Sequence, residues 1–370
     1  MSSAPVLGQR ALNRALLGRQ RLSTRATMPA LDLIEHLVGM QAQAPLASYV
    51  GLWTRLDGFD VAELAGLMTS RRAVRASLMR GTVHLVSDRD VLALRPLIHP
   101  VVSSGYTGHF RRFLDGVDVP AVVEAGRELL EQSPRTRAQL RDRLGARWPE
   151  WNADAMAYAV SYLVPSVQAT PRGVWGSNGP AALTTIESWL GRPLDPAPSV
   201  DTVVRRYLAA FGPASVMDMQ LWSGLTRLRE VFERLEGLRT YRSESGVILY
   251  DVAEAPLPSP DTPAPVRYLP EYDNVLLSHA DRSRVIPDGR RVRLPPGNGA
   301  AAGTVLIDGC YQADWCLDSE RGYAAIQVTP FRTLSGSERS DLDEEGARLL
   351  SFIAPDDRPR GVEIHRSADF

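Results

Sequence analysis

Lysine is missing from this chain: all 42 of its Lys+Arg residues are arginine. Without lysine there is no Schiff-base amine on a side chain and no P-loop lysine, so the amino terminus is the one amine nucleophile left. A GC-rich genome, which favours arginine codons, accounts for much of the bias, yet the chemical exclusion holds whatever its origin. Cysteine is nearly absent too. Cys310 and Cys316 stand alone, their spacing fits no zinc or cluster pattern, and no second ligand pair lies near them. A reduced cytoplasmic protein with no metal and no cofactor is expected. No run of eighteen apolar residues occurs, so no transmembrane helix and no membrane partner are expected. The amino terminus lacks the apolar core of a secretory signal.

What is present is ordinary in bulk and uneven in detail. A chain of 370 residues is long enough for two to four modules. A net charge of -1 does not advertise a nucleic-acid binder, but the arginines gather in groups: Arg10, Arg14, Arg19, Arg21 and Arg25; Arg71, Arg72, Arg75 and Arg80; Arg135, Arg137, Arg141, Arg143 and Arg147; and Arg284, Arg290, Arg291 and Arg293. Guanidinium forks suit phosphate oxygens, and a basic groove exists on a neutral protein when acids gather elsewhere, as in Asp341, Asp343, Glu344 and Glu345. Solvated faces balanced by nearby acids are the alternative for any one group.

Three successive segments read as helices followed by a strand pair. In the first, helices near 8–18, 30–39, 46–56 and 61–69 lead to an alternating stretch, Val74 to Val86, that turns at Arg80-Gly81. Ser87 and Asp90 form a capping-box-like start for a further helix. In the second, helices near 119–132, 137–145 and 152–165 precede a strand pair spanning Val167 to Trp175. In the third, helices near 201–211, 215–223 and 225–236 precede strands near 238–243 and 247–252. This is the pattern of tandem winged helices. A proline-rich crossing at 254–265 follows. Short apolar runs near 275–278, 303–307 and 323–329 then favour a small antiparallel barrel or sheet with one helix near 337–352. The fold class expected is α+β, with winged-helix modules at 1–115, 116–197 and 198–253 and a C-terminal β-barrel at 266–370.

One short stretch stands out chemically: Gly39-Met40-Gln41-Ala42-Gln43-Ala44-Pro45. Leu31, Ile34, Leu37 and Val38 repeat at helical spacing before it, and Gly39 and Pro45 argue that the helix stops there. In an extended segment residues two apart point the same way, so Gln41 and Gln43 are placed to present both amides to one pocket while Ala42 anchors inward. A neutral amide holds a water or a sugar by hydrogen bonds without a formal charge. The alternative is that the two amides satisfy backbone groups at a helix end.

With these landmarks in place, the sequence resembles the AlkZ-type winged-helix DNA glycosylases. The marks are Gln41-Ala-Gln43, Arg80-Gly-Thr-Val-His84, Pro171-Arg-Gly-Val-Trp-Gly176, Phe211-Gly-Pro-Ala214 with Trp222-Ser-Gly224, and Tyr268-Leu-Pro-Glu-Tyr-Asp-Asn274 running on to Asp281-Arg282. Each is weak alone, and their order makes them specific. The resemblance implies a C-shaped clamp on damaged double-stranded DNA and hydrolysis of the glycosidic bond of N7-alkylguanine, including bulky natural-product adducts and interstrand crosslinks. It implies that Gln41 and Gln43 are the catalytic pair of a motif reading Gln, apolar, then Gln or Asp. The second glutamine favours the branch that confers self-resistance to a particular toxin.

The absence of lysine agrees independently with a monofunctional enzyme, with water and not an amine as nucleophile. Arg75 and Arg80 beside the wing are the expected phosphate contacts. Thr82 and His84 end the wing and either touch the ribose or phosphate or, for His84, satisfy strand ends from within. Asn274, His279 and Arg282 either contact DNA or brace the C-terminal module. Trp175 and Trp222 are expected to pack rather than wedge between bases. A monomer is expected, and a non-catalytic winged-helix regulator is the competing function.

Overall fold

The computed structural model describes residues 4–290, 302–320 and 322–365; Arg291 and Arg293 lie outside them. The architecture is mixed α+β, with three sheets among the described residues. Helix starts follow the sequence closely because their caps are local. Ser87 accepts from the Asp90 amide to open Asp88–His109, and Thr136 and Gln139 form a reciprocal capping box on Arg137–Arg147. Helices Gln9–Arg19, Ala30–His36, Ala47–Trp53 and Val61–Thr69 fill the first segment, and Val119–Gln132, Arg137–Arg147 and Ala153–Leu163 the second. The third carries Val200–Phe211, Val216–Ser223 and a shorter Arg229–Arg234.

The hairpin expected around Arg80-Gly81 is present as Ala73–Ser77 and Val83–Ser87. The second strand pair is not where the sequence suggested. Ser166–Gln168 is a strand, but its partner is Ala182–Thr185, and residues 170–176 form a turn held by the Val174 amide on the Pro171 carbonyl. The two strand pairs then join. Ala73–Ser77 also pairs with Ser166–Gln168 (Arg75↔Gln168, Ala76↔Val167), giving one six-stranded sheet that crosses from the first segment into the second. The strand pair of the third segment, Leu238–Ser243 with Ile248–Val252, takes Val6–Leu7 as a parallel third strand.

The C-terminal sheet corrects the barrel expectation. Its five strands run in the order Arg267–Leu269, Gly303–Ile307, Cys310–Glu320, Tyr323–Pro330, Arg358–Ile364, and no ladder joins the first to the last among the described residues. The physical reason is the helix Gly336–Ile353. It makes the crossover that a parallel pairing of Tyr323–Pro330 with Arg358–Ile364 requires, and it lies across Tyr268, whose hydroxyl donates to the Leu342 carbonyl. Val50, Tyr268, Ile326 and Leu349 share the core beneath it. The apolar run at 275–278 is likewise not a strand. The Asp273 carboxylate caps the Val275 amide, and Asn274–Leu276 closes as a single 3-10 turn. Leu16, Val74, Tyr207, Trp222 and Leu269 belong to one large core linking the first, third and C-terminal segments, whereas Val122, Leu140 and Val160 form a separate core in the second.

Candidate active site

The chain leaves helix Ala30–His36 through two left-handed residues, Val38 at φ 55° and Gly39 at φ 93°. A Cβ on Gly39 would lie 2.5 Å from Val86 Cγ1, so glycine lets the backbone press against the neighbouring strand. Met40–Gln41 then pairs antiparallel with Val83–Ser87 (Gln41↔His84), and the Ala42 amide donates to the Val83 carbonyl at 2.8 Å. The strand itself covers only Met40–Gln41 and the chain bends at Gln43, yet the two side chains meet. Gln41 Nε2 donates to Gln43 Oε1 at 2.5 Å.

Two arginines hold the motif. Arg75 donates to the Ala42 carbonyl at 2.5 Å. Arg80, at φ 56° in the turn of the hairpin, donates to Gln41 Oε1 at 2.6 Å and to the Trp222 carbonyl at 2.7 Å. Burial lowers both guanidinium pKa values to about 10, with Arg172 adding to the effect at Arg75 and Arg282 at Arg80. Both remain cations at neutral pH. Asn274 braces the motif from behind, donating to the Gly39 carbonyl at 2.8 Å. Beside it Asp273 receives both arms of Arg55 at 2.8 and 2.9 Å, a pair almost fully removed from solvent.

Gln43 opens onto a cleft of about 710 Å³, within the span of ligand-binding cavities. One wall is the six-stranded sheet, contributing Arg75, Thr82, Ser166 and Gln168; the other is the second segment, contributing Arg137, Arg141, Tyr158 and Tyr162. Arg172 lines the cleft as well, donating to the Gly179 carbonyl at 3.1 Å. Asp154 is the one carboxylate in that lining, so the cleft is cationic although the whole chain is not. Arg75 is 3% exposed and has no carboxylate partner, its Nε and Nη1 lacking hydrogen bonds. Gly173 at φ 86° lets the guanidinium fit, since a Cβ there would sit 2.5 Å from Arg75 Nη1.

The expected site residues thus divide. Gln43, Arg75 and Thr82 line the cleft, and Gln41 and Arg80 stand immediately behind Gln43. His84 is fully buried, donating from Nδ1 to the Thr82 carbonyl at 3.0 Å, with burial driving its pKa down to about 3. His279 is equally buried between Ser278 and the Phe211 carbonyl, also near 3. Asn274 is buried against Gly39, whereas Arg282 is half-buried beside a separate surface hollow with Arg290. Trp222 packs on Tyr207 and Phe211, and Trp175 on Tyr49, as expected. Sequence reasoning did not single out Arg172, Tyr158 or Tyr162. Arg137 and Arg141 sit four apart on one helix, a spacing that places both on one face.

An amide pair on an edge strand beside the hairpin, at the mouth of a cationic cleft on an α+β frame of this order, suits an enzyme working on a polyanion. The comparisons give the class its name. The profile described as "DNA glycosylase AlkZ-like" matches residues 34–352, and the chain belongs to that family of DNA glycosylases. The solved structure of Streptomyces sahachiroi DNA glycosylase AlkZ has the same fold, with a TM-score of 0.74 at 20% identity over 97% of this chain and 100% of that one. No curated protein sequence matches the chain.

Proposed function

We propose that this glycosylase releases N7-alkylguanine from duplex DNA, including bulky natural-product monoadducts or interstrand crosslinks, and so protects its host from a genotoxin. The observation that carries the reading is the Gln41–Gln43 pair, at 2.5 Å, opening on an arginine-lined cleft. Alkylation at N7 makes guanine cationic, so breaking the C1′–N9 bond sends its electrons to the base, which leaves neutral. No strong general acid is needed, in keeping with a lining that holds a single carboxylate. The sugar develops oxocarbenium character, and a water held by Gln43 adds to C1′ and gives its proton to solvent. Acid–base assistance contributes roughly 10²–10⁴-fold at most in such sites, so placement of the water and the electrostatic setting matter as much. Three helical segments, each ending in a strand pair, support reading the frame as winged helices that grip the duplex.

The test is incubation of the protein with duplex carrying N7-methylguanine and a bulkier N7 adduct. Free base and alkali-labile abasic sites are expected. Gln43→Ala should lose most of the single-turnover rate with DNA affinity nearly unchanged, because an amide that places water acts chiefly in the transition state. Absence of base release, or wild-type rates in both Gln41→Ala and Gln43→Ala, would sink the reading.

A further inference from the structure

The sequence pointed to Arg80 as a phosphate contact, but its guanidinium faces inward. One arm reaches the Trp222 carbonyl and another the Gln41 side chain. We propose that Arg80 is a positioning residue of the hydrolytic site: by fixing Gln41 it fixes which groups of Gln43 meet the cleft. The inference rests on the role assigned above to Gln43.

The argument is one of donors and acceptors. A guanidinium carries five N–H donors and no acceptor, so the atom of Gln41 facing Arg80 must be its oxygen. That assigns Gln41 Nε2 to the other side, toward Gln43, which must answer with an oxygen. The observed contacts, 2.6 Å and then 2.5 Å, follow that order. Reversing either amide would set donor against donor in a site where Gln41 is 6% exposed and water cannot compensate. Amide orientation is otherwise free to flip, and here a cation removes the freedom. Gln43 is left with both Nε2 protons and the second lone pair of Oε1 on the cleft side. The lone pair is the acceptor for the attacking water, and the N–H groups are free for a sugar or phosphate oxygen.

The charge adds to the geometry. A hydrogen bond from a cation to Gln41 Oε1 draws electron density through the amide and strengthens the next bond to Gln43. Arg80 is itself held by the Trp222 carbonyl, and the Trp222 side chain is anchored against both Tyr207 and Phe211. The third segment therefore reaches the reaction centre through one backbone oxygen. Arg75, donating to the Ala42 carbonyl, fixes the backbone between the two glutamines and leaves the side-chain orientation to Arg80.

Single-turnover base release at saturating protein, alongside affinity for adducted and undamaged duplex, separates the roles. Arg80→Ala should lower the saturating rate about 10–10²-fold, as misplacement of a reacting group does. Its affinity for either duplex should change little, and added guanidinium ion should restore part of the rate. A retained saturating rate with equal loss of affinity for both duplexes makes Arg80 a phosphate contact and overturns the proposal, as does a rate that guanidinium leaves unmoved. Gln41→Glu keeps an oxygen for Arg80, and so keeps the fold, but has no donor for Gln43; its rate should fall below that of Gln43→Glu, which still accepts from Gln41. Wild-type activity in Gln41→Glu would also overturn it. If the wild-type protein releases no N7-methylguanine at all, it is the proposed function that fails, and the two failures are told apart in one experiment.

Discussion

The Arg55–Asp273 pair joins the turn that ends helix Ala47–Trp53, just after the glutamine motif, to the C-terminal run that braces the motif. Its charged groups are 1% and 2% exposed, and both guanidinium arms engage both carboxylate oxygens. Asp273→Ala would leave a buried cation with the Gly51 carbonyl at 3.0 Å and Gln20 Oε1 at 3.4 Å as its remaining acceptors. It would also remove the cap on the Val275 amide. Breaking one partner of a buried pair costs about 3–5 kcal/mol, because the orphaned charge stays desolvated. With a urea slope of about 2–3 kcal/mol/M, the denaturation midpoint should drop by roughly 1–2.5 M. The double variant Arg55→Met, Asp273→Leu removes the charge together with its partner and should recover most of that loss. Urea titration followed by tryptophan fluorescence measures both. A single-variant loss below about 1 kcal/mol, or a double variant as unstable as the two singles combined, would refute the account of this pair.

Borohydride should trap no covalent protein–DNA adduct, since the chain has no lysine; robust trapping would point to the amino terminus as nucleophile. DNA affinity should fall with salt at about 0.9 log units per log unit for each phosphate neutralised. Arg137→Ala, which removes an exposed cleft-lining cation stacked 4.3 Å over Tyr158, should reduce that slope by about one on adducted and undamaged duplex alike. An unchanged slope would place the phosphate track elsewhere. Stability should also depend on pH through His84 and His279. Both are held neutral with pKa values near 3, below the ordinary 6.5, so the unfolded chain takes up protons first. Their contribution is complete above about pH 6.5 and is lost as pH falls toward 3. Melting temperatures equal at pH 7 and pH 5 would contradict this assignment.

Much of the site was legible because its signals are local. Two glutamines at i and i+2 after a glycine-terminated helix point the same way in any extended segment, and the hairpin announced itself by alternation around Arg80-Gly81. Arg80's partner was not legible. It depends on the Trp222 carbonyl arriving from a segment 142 residues away, which no spacing rule encodes. For His84 and His279 the sequence left two readings open, and burial settles both on the structural one, as neutral framework. In the fold, Ala182–Thr185 was missed because a stretch punctuated by Pro171, Gly173, Gly176 and Gly179 separates it from its partner, so its pairing is settled by tertiary contacts. Cys310–Glu320 was readable and overlooked, since Tyr311, Ala313, Trp315 and Leu317 alternate with Gln312, Asp314, Cys316 and Asp318.

The ladder between Ala73–Ser77 and Ser166–Gln168 carries a mechanical consequence. The seam of backbone hydrogen bonds runs within the sheet that forms one wall of the cleft, and it ties the first segment directly to the second. A pivot at that point would have to break the ladder, so closing on a substrate there costs backbone hydrogen bonds. The work of adaptation passes to the duplex, and the energy of bending or unstacking is least where damage has already loosened the stack. Stiffness in the protein becomes, in effect, a gauge of softness in the DNA.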